Sequence, residues 1–343
     1  MVASRIATFG WLSLAALAIP LAQGARLPAT MQAAAMDHAG GPEVVTLHTL
    51  PVPQPATDEV LIAVHTAGVG IWDTGLRRHP EEITHSKMPL VLGTDGAGTV
   101  VAVGSSVARF KVGDKVYAYS WDNPQGGFYA EYVAVPAERV GPVPKNLDLT
   151  QAGAIATTGL TALQGVDDAL HVQRGQTLLI HGAAGGVGTL SVQFAKARGA
   201  RVLATASGED ELALVRELGA DAVVDGRAGD ILAAARQFAP QGVDAVLAFA
   251  GGESFERCLD ALRPGGHAAY PRGVHPPQPR AGLAVIDYDA VPGPKEYAQL
   301  NAAIEAQPLR VPIAAQFALA DAAKAHERIE AGHVLGKIVI HIH

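Results

Sequence analysis

The stretch TLLIHGAAGGVGTL, residues 177–190, decides the fold of this chain. A short apolar run leads into a glycine-rich turn, and a segment with helical periodicity, 187–200, follows. Glycine by itself does not separate a flexible bend from a ligand loop, because it serves any turn that needs a positive φ. The context does, since further apolar runs without alternation follow, and parallel sheets show this pattern. The order strand, helix, strand predicts βαβ units. These later runs are 201–207, 221–226, 244–251 and 266–273, and a second helical segment spans 209–220.

The turn matches the dinucleotide fingerprint at a predicted strand–helix junction. Ala183, Gly185 and Gly188 stand at its first, second and third glycine positions. Gly185 lets backbone N–H groups approach a pyrophosphate, and Gly188 lets the helix pack close to the strand. The helix N-terminus adds partial positive charge. We therefore predict that this turn binds a dinucleotide. The residues predicted to hold its pyrophosphate are Ala184, Gly185, Gly186, Val187 and Gly188.

The end of the second predicted strand bears on which dinucleotide is bound. NAD-specific sites usually place Asp or Glu there, whereas this chain has Ala206 and Ser207. This favours NADP(H) slightly over NAD(H), with Ser207 as a phosphate donor. Residues 209–211, however, are Glu, Asp and Glu, and no Lys or Arg stands with them. They oppose a phosphate unless they face solvent from a first helical turn, where acids are favoured for helix reasons. Both cofactors remain open.

Composition restricts the class of protein. At 343 residues and 49% hydrophobic content, the chain is long enough for two domains with sizeable cores. The net charge of −7 and the lack of a basic run argue against a nucleic-acid partner. The single cysteine, Cys258, excludes an intrachain disulfide and a multi-cysteine zinc cluster. We predict that Cys258 is a buried small hydrophobe.

Residues 1–30 differ from the rest of the chain. Arg5 precedes the apolar run 11–22, and small residues at Ala22 and Gly24 suit a signal peptidase. The run is too short to span a membrane, so no membrane partner is predicted. A cleaved leader predicts a periplasmic or secreted protein. The alternative is a misplaced start upstream of Met31 and a cytoplasmic protein, since no twin-arginine pair marks export of a folded, cofactor-loaded chain.

From about 42 to 145 the chain alternates β-rich runs with turns, and helical periodicity is scarce. The tail, 317–343, predicts a helix, a glycine turn and a strand that close either domain. The segment 276–299 is rich in proline, which predicts an irregular loop. The predicted strands of the first part are 44–50, 59–69, 96–104, 115–120 and 130–135.

Several blocks together resemble the zinc-free quinone oxidoreductase (zeta-crystallin-like) branch of the medium-chain dehydrogenase/reductase superfamily. The resemblance runs from Met31 to the C-terminus and implies an α/β fold of two domains. The first is a chaperonin-10-like β-barrel catalytic domain, 31–150, completed by 308–343. The second is a Rossmann doubly wound parallel sheet, 151–307. The resemblance also implies a homodimer. The blocks are 91–119, 126–135, 152–166, 181–188, 218–225 and 335–342.

The resemblance bears on zinc as well. Zinc-dependent relatives carry a cysteine where this chain has Gly70, and His-Glu where it has Thr94 and Asp95. Catalytic zinc needs about three protein ligands. Only Asp95 among these positions is a possible ligand, so we predict that no zinc is bound. Hydride addition to a quinone or an enone needs no Lewis acid, because the acceptor is already electrophilic.

Residue roles follow from the resemblance one by one. The candidate catalytic residues are Asp73, an acid of the substrate-side segment that alternatively only shapes its loop, and Thr94. Thr161 matches a contact to the nicotinamide end, with a helix-cap threonine as the alternative. Gly251 and Gly252 match the loop over the nicotinamide ribose. Lys337 matches a lysine near the cofactor cleft, with a solvent-facing lysine as the alternative.

The chain departs from the branch in ways that suggest altered cofactor selectivity. The selectivity is weaker or altered on this reading, and we keep two functions open: an NAD(P)H-dependent reductase of quinones or α,β-unsaturated carbonyls, and a dinucleotide-binding protein without turnover. An alcohol dehydrogenase is disfavoured, because the zinc ligands are missing. The departures are Gly70 for an asparagine, Glu211 for a lysine, Gly226 for an aromatic residue and Ala248 for an acid.

Overall fold

The computed structural model describes residues 27–82 and 87–342. The first part of the chain is an antiparallel β structure. A three-stranded sheet has the order β2-β1-β4, and β3, β5, β6, β7 and β8 belong to a larger sheet. Two backbone hydrogen bonds join the sheets, from Ala34 N–H to Tyr129 O and from Glu131 N–H to Gln32 O. The strands are β1 (Thr30–Met36), β2 (Thr46–Pro51), β3 (Glu59–Val69), β4 (Leu90–Val91), β5 (Asp95–Val103), β6 (Lys115–Tyr119), β7 (Tyr132–Pro136) and β8 (Val140–Pro142).

The second part is a parallel sheet of six strands in the order β11-β10-β9-β12-β13-β14. All its neighbouring strands pair parallel. Counted from β9, this is the order 3-2-1-4-5-6 of the doubly wound dinucleotide fold, whose ligand crevice lies where the order reverses. The predicted fold class is confirmed. The strands are β9 (Thr177–His181), β10 (Arg201–Ala206), β11 (Ala222–Asp225), β12 (Val243–Ala248), β13 (Leu262–Pro271) and β14 (Ala284–Tyr288).

The last two strands, β15 (Ile313–Ala318) and β16 (Lys337–His341), return to the first part of the molecule. β16 pairs antiparallel with β3 and parallel with β15. The tail therefore completes the antiparallel structure, and the start of β16 lies beside the end of β3. The α-helices are α1 (Ile71–Arg78), α2 (Leu149–Gln164), α3 (Gly186–Ala197), α4 (Glu209–Glu217), α5 (Ile231–Phe238), α6 (Glu253–Leu259), α7 (Pro294–Glu305) and α8 (Ala322–Glu330), and a π-helical turn, Gly165–Ala169, extends α2.

Helix α2 connects the two parts. Asp148 caps it, since its carboxylate accepts the Gln151 N–H over 2.7 Å. One side of α2 packs on β3, β5 and β6, and another packs on α3. The apolar core on this side of the parallel sheet therefore includes residues of both parts, such as Tyr117 and Leu178. Cys258 belongs to the cluster on the opposite face of the sheet and is fully buried, as predicted.

Two boundaries differ from the sequence predictions. The proline-rich segment 276–299 is not wholly irregular, because it contains β14 and the first half of α7. The prolines at 276, 277 and 279 precede the strand, and Pro294 stands in the first turn of the helix, where its missing N–H costs nothing. Strand β1 begins at Thr30, inside the range assigned to the leader.

The leader itself, up to residue 26, lies outside the described residues. The localisation that depends on it therefore stays a prediction. No helix within 27–82 or 87–342 is long and apolar enough to cross a bilayer.

Candidate active site

The glycine-rich turn joins β9 to α3 at the carboxyl edge of the parallel sheet. Gly185 is the N-cap of α3 in extended backbone conformation, and Thr189 N–H closes the first helical turn on its carbonyl oxygen at 2.9 Å. The N–H groups of Gly186, Val187 and Gly188 therefore have no partner inside the helix. Such N–H groups at a helix start form an anion site.

The glycines of this turn leave room for a phosphate. A Cβ at Gly188 would lie 2.4 Å from Gly182 O, so α3 packs tightly on the turn. A Cβ at Gly185 would meet nothing nearer than that same oxygen, at 3.8 Å. Gly188 is thus required by packing, whereas the space above Gly185 is open to a ligand. The turn fits a dinucleotide pyrophosphate.

His181, the last residue before the turn, holds its position by two side-chain contacts. No motif in the sequence marked this residue. Its Nδ1 lies 2.7 Å from Thr205 Oγ1 and its Nε2 lies 3.0 Å from Ser254 Oγ. Burial lowers the pKa of His181 to about 4, so the imidazole is neutral at physiological pH. It joins the ends of β9 and β10 to α6. A polar residue that ends an otherwise apolar strand was the available signal.

Lys337 lies in the cleft between the phosphate turn and the end of β3, and it does not face solvent. Its side chain is 4% exposed, and Nζ donates to Val69 O over 3.0 Å. The preceding residue, Gly336, donates its N–H to Ala184 O over 2.8 Å. A Cβ at Gly186 would lie 2.7 Å from Lys337 Cδ. The start of β16 thus joins the phosphate turn to the end of β3.

Trp72 stands in the same cleft, and no sequence signal marked it. Its Nε1 donates to Thr94 Oγ1 over 2.7 Å, and Lys337 Nζ lies 5.1 Å from its ring centroid. A Cβ at Gly70 would lie 2.1 Å from Trp72 Cε2. The indole therefore occupies the space that a side chain at position 70 would need, which explains the glycine there.

Asp73, the next residue, is fully buried. Its Oδ2 accepts the Gly70 N–H over 2.7 Å and the Tyr129 hydroxyl over 3.2 Å, which caps the start of α1. Burial raises the pKa of Asp73 to about 7, and the nearby Asp95 acts in the same direction. These contacts show Asp73 holding the segment that carries Trp72. A direct catalytic role for Asp73 stays a prediction.

A buried polar chain continues from Asp73 to the surface. Tyr129 OH lies 3.4 Å from His326 Nε2, and Arg77 Nη1 donates to His326 Nδ1 over 2.9 Å. Because Arg77 is always a donor, His326 carries its proton on Nε2. Burial lowers the pKa of His326 to about 3. The chain ends where Arg77 pairs with Glu330.

Thr94 and Asp95 are buried where β5 begins, and Asp95 bonds α2 across the boundary of the two parts. Thr94 is 2% exposed and Asp95 is fully buried, and Asp95 Oδ2 accepts the Thr157 N–H over 3.0 Å. Asp73 Oδ1, Asp95 Oδ1 and Thr157 Oγ1 are buried without a hydrogen-bond partner in the described structure. Buried polar atoms without a partner are rare in native structures and need an explanation.

Thr161 lies one turn further along α2, in its interior and not at a cap. Its Oγ1 donates to Thr157 O over 2.9 Å, and its carbonyl oxygen accepts the Tyr288 hydroxyl. The hydrogen bonds of Thr161 therefore go to α2 and to β14.

The remaining cofactor candidates lie at the carboxyl ends of neighbouring strands. Gly182 packs near the backbone of Phe249 and Ala250, which places the loop with Gly251 and Gly252 beside the phosphate turn. Ser207 follows β10, and its N–H donates to Glu211 Oε2 over 2.7 Å. Across residues 27–82 and 87–342, no group of three or more His, Cys, Asp or Glu side chains is arranged to hold a metal ion.

Comparison with known proteins agrees with this geometry. Residues 56–145 match the alcohol dehydrogenase GroES-like domain, and residues 218–340 match the zinc-binding dehydrogenase family. A quinone oxidoreductase from Pongo abelii is 32% identical over 90% of this chain and 97% of its own length.

The chain belongs to the quinone oxidoreductase branch of the medium-chain dehydrogenase/reductase superfamily. The predicted resemblance is confirmed, and this member of the branch is an oxidoreductase. The Arabidopsis thaliana chloroplastic NADPH-dependent alkenal/one oxidoreductase is 31% identical over 95% of this chain and 83% of its own length. A mycobacterial structure in complex with NADPH is 30% identical, covers 91% of this chain and 100% of its own, and has a TM-score of 0.81.

Proposed function

We propose that this oxidoreductase transfers a hydride from a reduced nicotinamide dinucleotide to a quinone or to the β-carbon of an α,β-unsaturated carbonyl compound. The observation that carries the proposal is the contact between the phosphate turn and the start of β16. Gly336 N–H bonds Ala184 O, and Lys337 reaches Val69 O beside Trp72. The dinucleotide turn and the segment that holds Trp72 thereby share one cleft.

The protein residues orient the reactants. The N–H groups at the start of α3 hold the pyrophosphate, and the loop with Gly251 and Gly252 borders the same crevice. When bound, the reduced nicotinamide supplies the hydride. A quinone then needs one proton at oxygen, and an enone needs one at its α-carbon. Lys337, Thr94 and Asp73 keep Trp72 and α1 in place, so that geometry is the main catalytic contribution.

Two relatives support NADP(H) as the cofactor. The Arabidopsis relative is named for NADPH, and the mycobacterial structure holds it. Ser207, at the end of β10, is the proposed phosphate donor. The carboxylates that follow it in α4 oppose this choice.

We propose that the reaction proceeds without zinc. Thr94 Oγ1 accepts the Trp72 indole N–H, and Asp95 Oδ2 accepts the Thr157 N–H. Within residues 27–82 and 87–342, no group of three or more His, Cys, Asp or Glu side chains is placed to give either residue a zinc site of about three protein ligands. Activity that survives dialysis against a chelator, and that does not correlate with the zinc content of the purified protein, supports this proposal. Activity restored only by added zinc overturns it.

We also propose a homodimer through the edge of the parallel sheet. β14 is an edge strand, and Ile286 on it and Val291 beyond it are 37% and 57% exposed. An edge strand with exposed apolar side chains is a template for pairing with another chain. Light scattering on wild type and on I286K tests this: a dimer that the lysine dissociates supports it, and a wild-type monomer contradicts it.

The main experiment is a fluorescence titration of the purified full chain with NADPH and with NADH, followed by 1,4-benzoquinone and by an enone. Saturable binding with oxidation of the dinucleotide by either acceptor supports the reductase. Binding without oxidation by any acceptor supports the second candidate, a dinucleotide-binding protein, which the departures at Gly70 and Glu211 favour. Absence of binding overturns both.

A further inference from the structure

The turn between β10 and α4 carries the groups that would meet the adenosine ribose. In the doubly wound fold, the end of the second strand is where the ribose 2′-hydroxyl or 2′-phosphate is read. Here both backbone N–H groups of the turn are already bonded to carboxylates. Ser207 N–H donates to Glu211 Oε2 over 2.7 Å, and Gly208 N–H donates to Asp225 Oδ2 over 3.1 Å.

The two carboxylates are held very differently. Asp225 Oδ1 also accepts the N–H groups of Arg227 and Ala228, both over 2.8 Å, and these bonds keep the pKa of Asp225 below its usual range. Asp225 is therefore part of the β11 turn. Glu211 accepts one backbone N–H, and its other oxygen faces a histidine, so it can leave without breaking a turn.

That histidine is His333, from the loop between α8 and β16. Its Nδ1 lies 2.8 Å from Glu211 Oε1, and its Nε2 lies 2.9 Å from Asp210 Oδ2. A Cβ at Gly208 would lie 4.0 Å from His333 Cε1, so the imidazole borders the turn. His333 has a φ of 50°, and Arg328 donates to its carbonyl oxygen over 3.0 Å. The backbone thus fixes His333 at this rim.

We propose that Glu211 and His333 form an exchangeable ion pair that determines how the protein distinguishes NADPH from NADH. The 2′-phosphate of NADPH takes the place of the Glu211 carboxylate at Ser207 N–H and at the His333 imidazolium. NADH has no phosphate there, and Glu211 stays in place to accept a ribose hydroxyl. This inference rests on the proposed dinucleotide function and adds the residues that select the cofactor.

The exchange makes NADPH binding depend on pH. Asp210 and Glu211 raise the pKa of His333 above its usual range. The other charged groups bonded to this loop or turn are Arg328, which donates to the His333 carbonyl oxygen, and Asp225, which accepts the Gly208 N–H. A phosphate needs the protonated imidazole, so NADPH affinity is full at low pH and falls as the pH rises through the pKa of His333. NADH affinity has no such dependence.

The test is direct binding, without turnover. Dissociation constants of NADPH and NADH for the full chain are measured by nicotinamide fluorescence from about pH 6 to about pH 9 at constant ionic strength, since His titrates in this range. We expect the dissociation constant of NADPH to rise about tenfold relative to that of NADH, because one charge-assisted hydrogen bond is lost.

Two variants measure the contributions of Glu211 and His333 separately. E211Q removes the competing charge, and we expect it to strengthen NADPH binding about tenfold. H333N removes the imidazole but tolerates the positive φ, and we expect it to weaken NADPH binding about tenfold and to abolish the pH dependence. E209Q is the matched control, since Glu209 lies in the same helical turn and is exposed.

The outcomes are distinguishable. A constant NADPH to NADH ratio across this pH range in wild type, or a ratio that H333N and E211Q leave unchanged, overturns the exchange while the dinucleotide function stands. Failure of both dinucleotides to bind at any pH overturns the proposed function and the exchange with it. If E209Q changes NADPH binding as much as E211Q does, the effect is general charge repulsion and not displacement of Glu211. That result also overturns the exchange.

Discussion

The ammonium group of Lys337 donates to the carbonyl oxygen of Val69 over 3.0 Å and lies over the indole of Trp72. This bond joins the first residue of β16 to the last residue of β3. Because the residue before Lys337 bonds the phosphate turn, the cleft keeps its geometry through main-chain contacts as well as this side chain.

Gly185 and Gly188 have separable roles, and alanine at each position distinguishes them. We expect G185A to keep the melting temperature of wild type and to lose dinucleotide affinity, because its methyl group fills the open ligand space. We expect G188A to lose both, because its Cβ would lie 2.4 Å from Gly182 O. Thermal unfolding and fluorescence titration measure the two effects. Equal melting temperatures for the two variants would contradict the assignment.

Gly70 is needed because of Trp72. We expect G70A to displace the indole and to break its hydrogen bond to Thr94, at a cost of about 1–3 kcal/mol in unfolding free energy. Alanine at Gly75, in the same helix, meets nothing within 4 Å and should stabilise by about 0.5–1 kcal/mol.

The readout for Gly70 is denaturant unfolding together with tryptophan emission in a W11F/W121F background, in which Trp72 is the remaining tryptophan. In a protein that lacks the indole, the alanine should cost little. The double variant G70A/W72A should therefore be nearly as stable as W72A. A G70A protein with unchanged emission and stability would show that the indole has room to move.

Ionisation of Asp73 should make the protein less stable as the pH rises from about 4 to about 7. Its pKa is raised from 3.8 to about 7, so the folded state binds this proton more tightly than the unfolded state between those values. The unfolding free energy therefore falls across that window, by up to about 4 kcal/mol. D73N does not titrate and should lack this slope. Urea unfolding of D73N and of the exposed-site control D58N from pH 5 to 8 checks it, and parallel slopes in D73N and wild type would refute it.

His181 should make the unfolding free energy depend on pH in the opposite direction to Asp73. Its pKa is lowered from 6.5 to about 4, so the unfolded state binds the proton more readily between those values. Stability then increases as the pH rises through this window, by about 3 kcal/mol. H181Q keeps a donor and an acceptor but does not titrate, so the slope should decrease. Urea unfolding of wild type, H181Q and the exposed-residue control H38Q between pH 4 and 6.5 measures it. A slope that H181Q shares with wild type would exclude His181 as its source.

The sequence predicted the fold because its signals are local. The apolar runs 177–182 and 201–207 became strands β9 and β10, and the segment 209–220 contains α4. Strand β14 was missed because prolines precede it and its exposed edge gives it no continuous apolar run. Trp72 was missed because only packing against Gly70 gives it a role.

The sequence alone determined the parallel sheet, the dinucleotide turn and the lack of a multi-cysteine metal site, since buried strands, glycine spacing and residue counts are read along the chain. Only the tertiary structure decided that Lys337 is buried, that Asp73 supports Trp72, and that His333 meets Glu211 beside Ser207. These relationships join residues far apart in sequence. Their hydrogen bonds and pKa values depend on burial and on neighbours that chain order does not reveal.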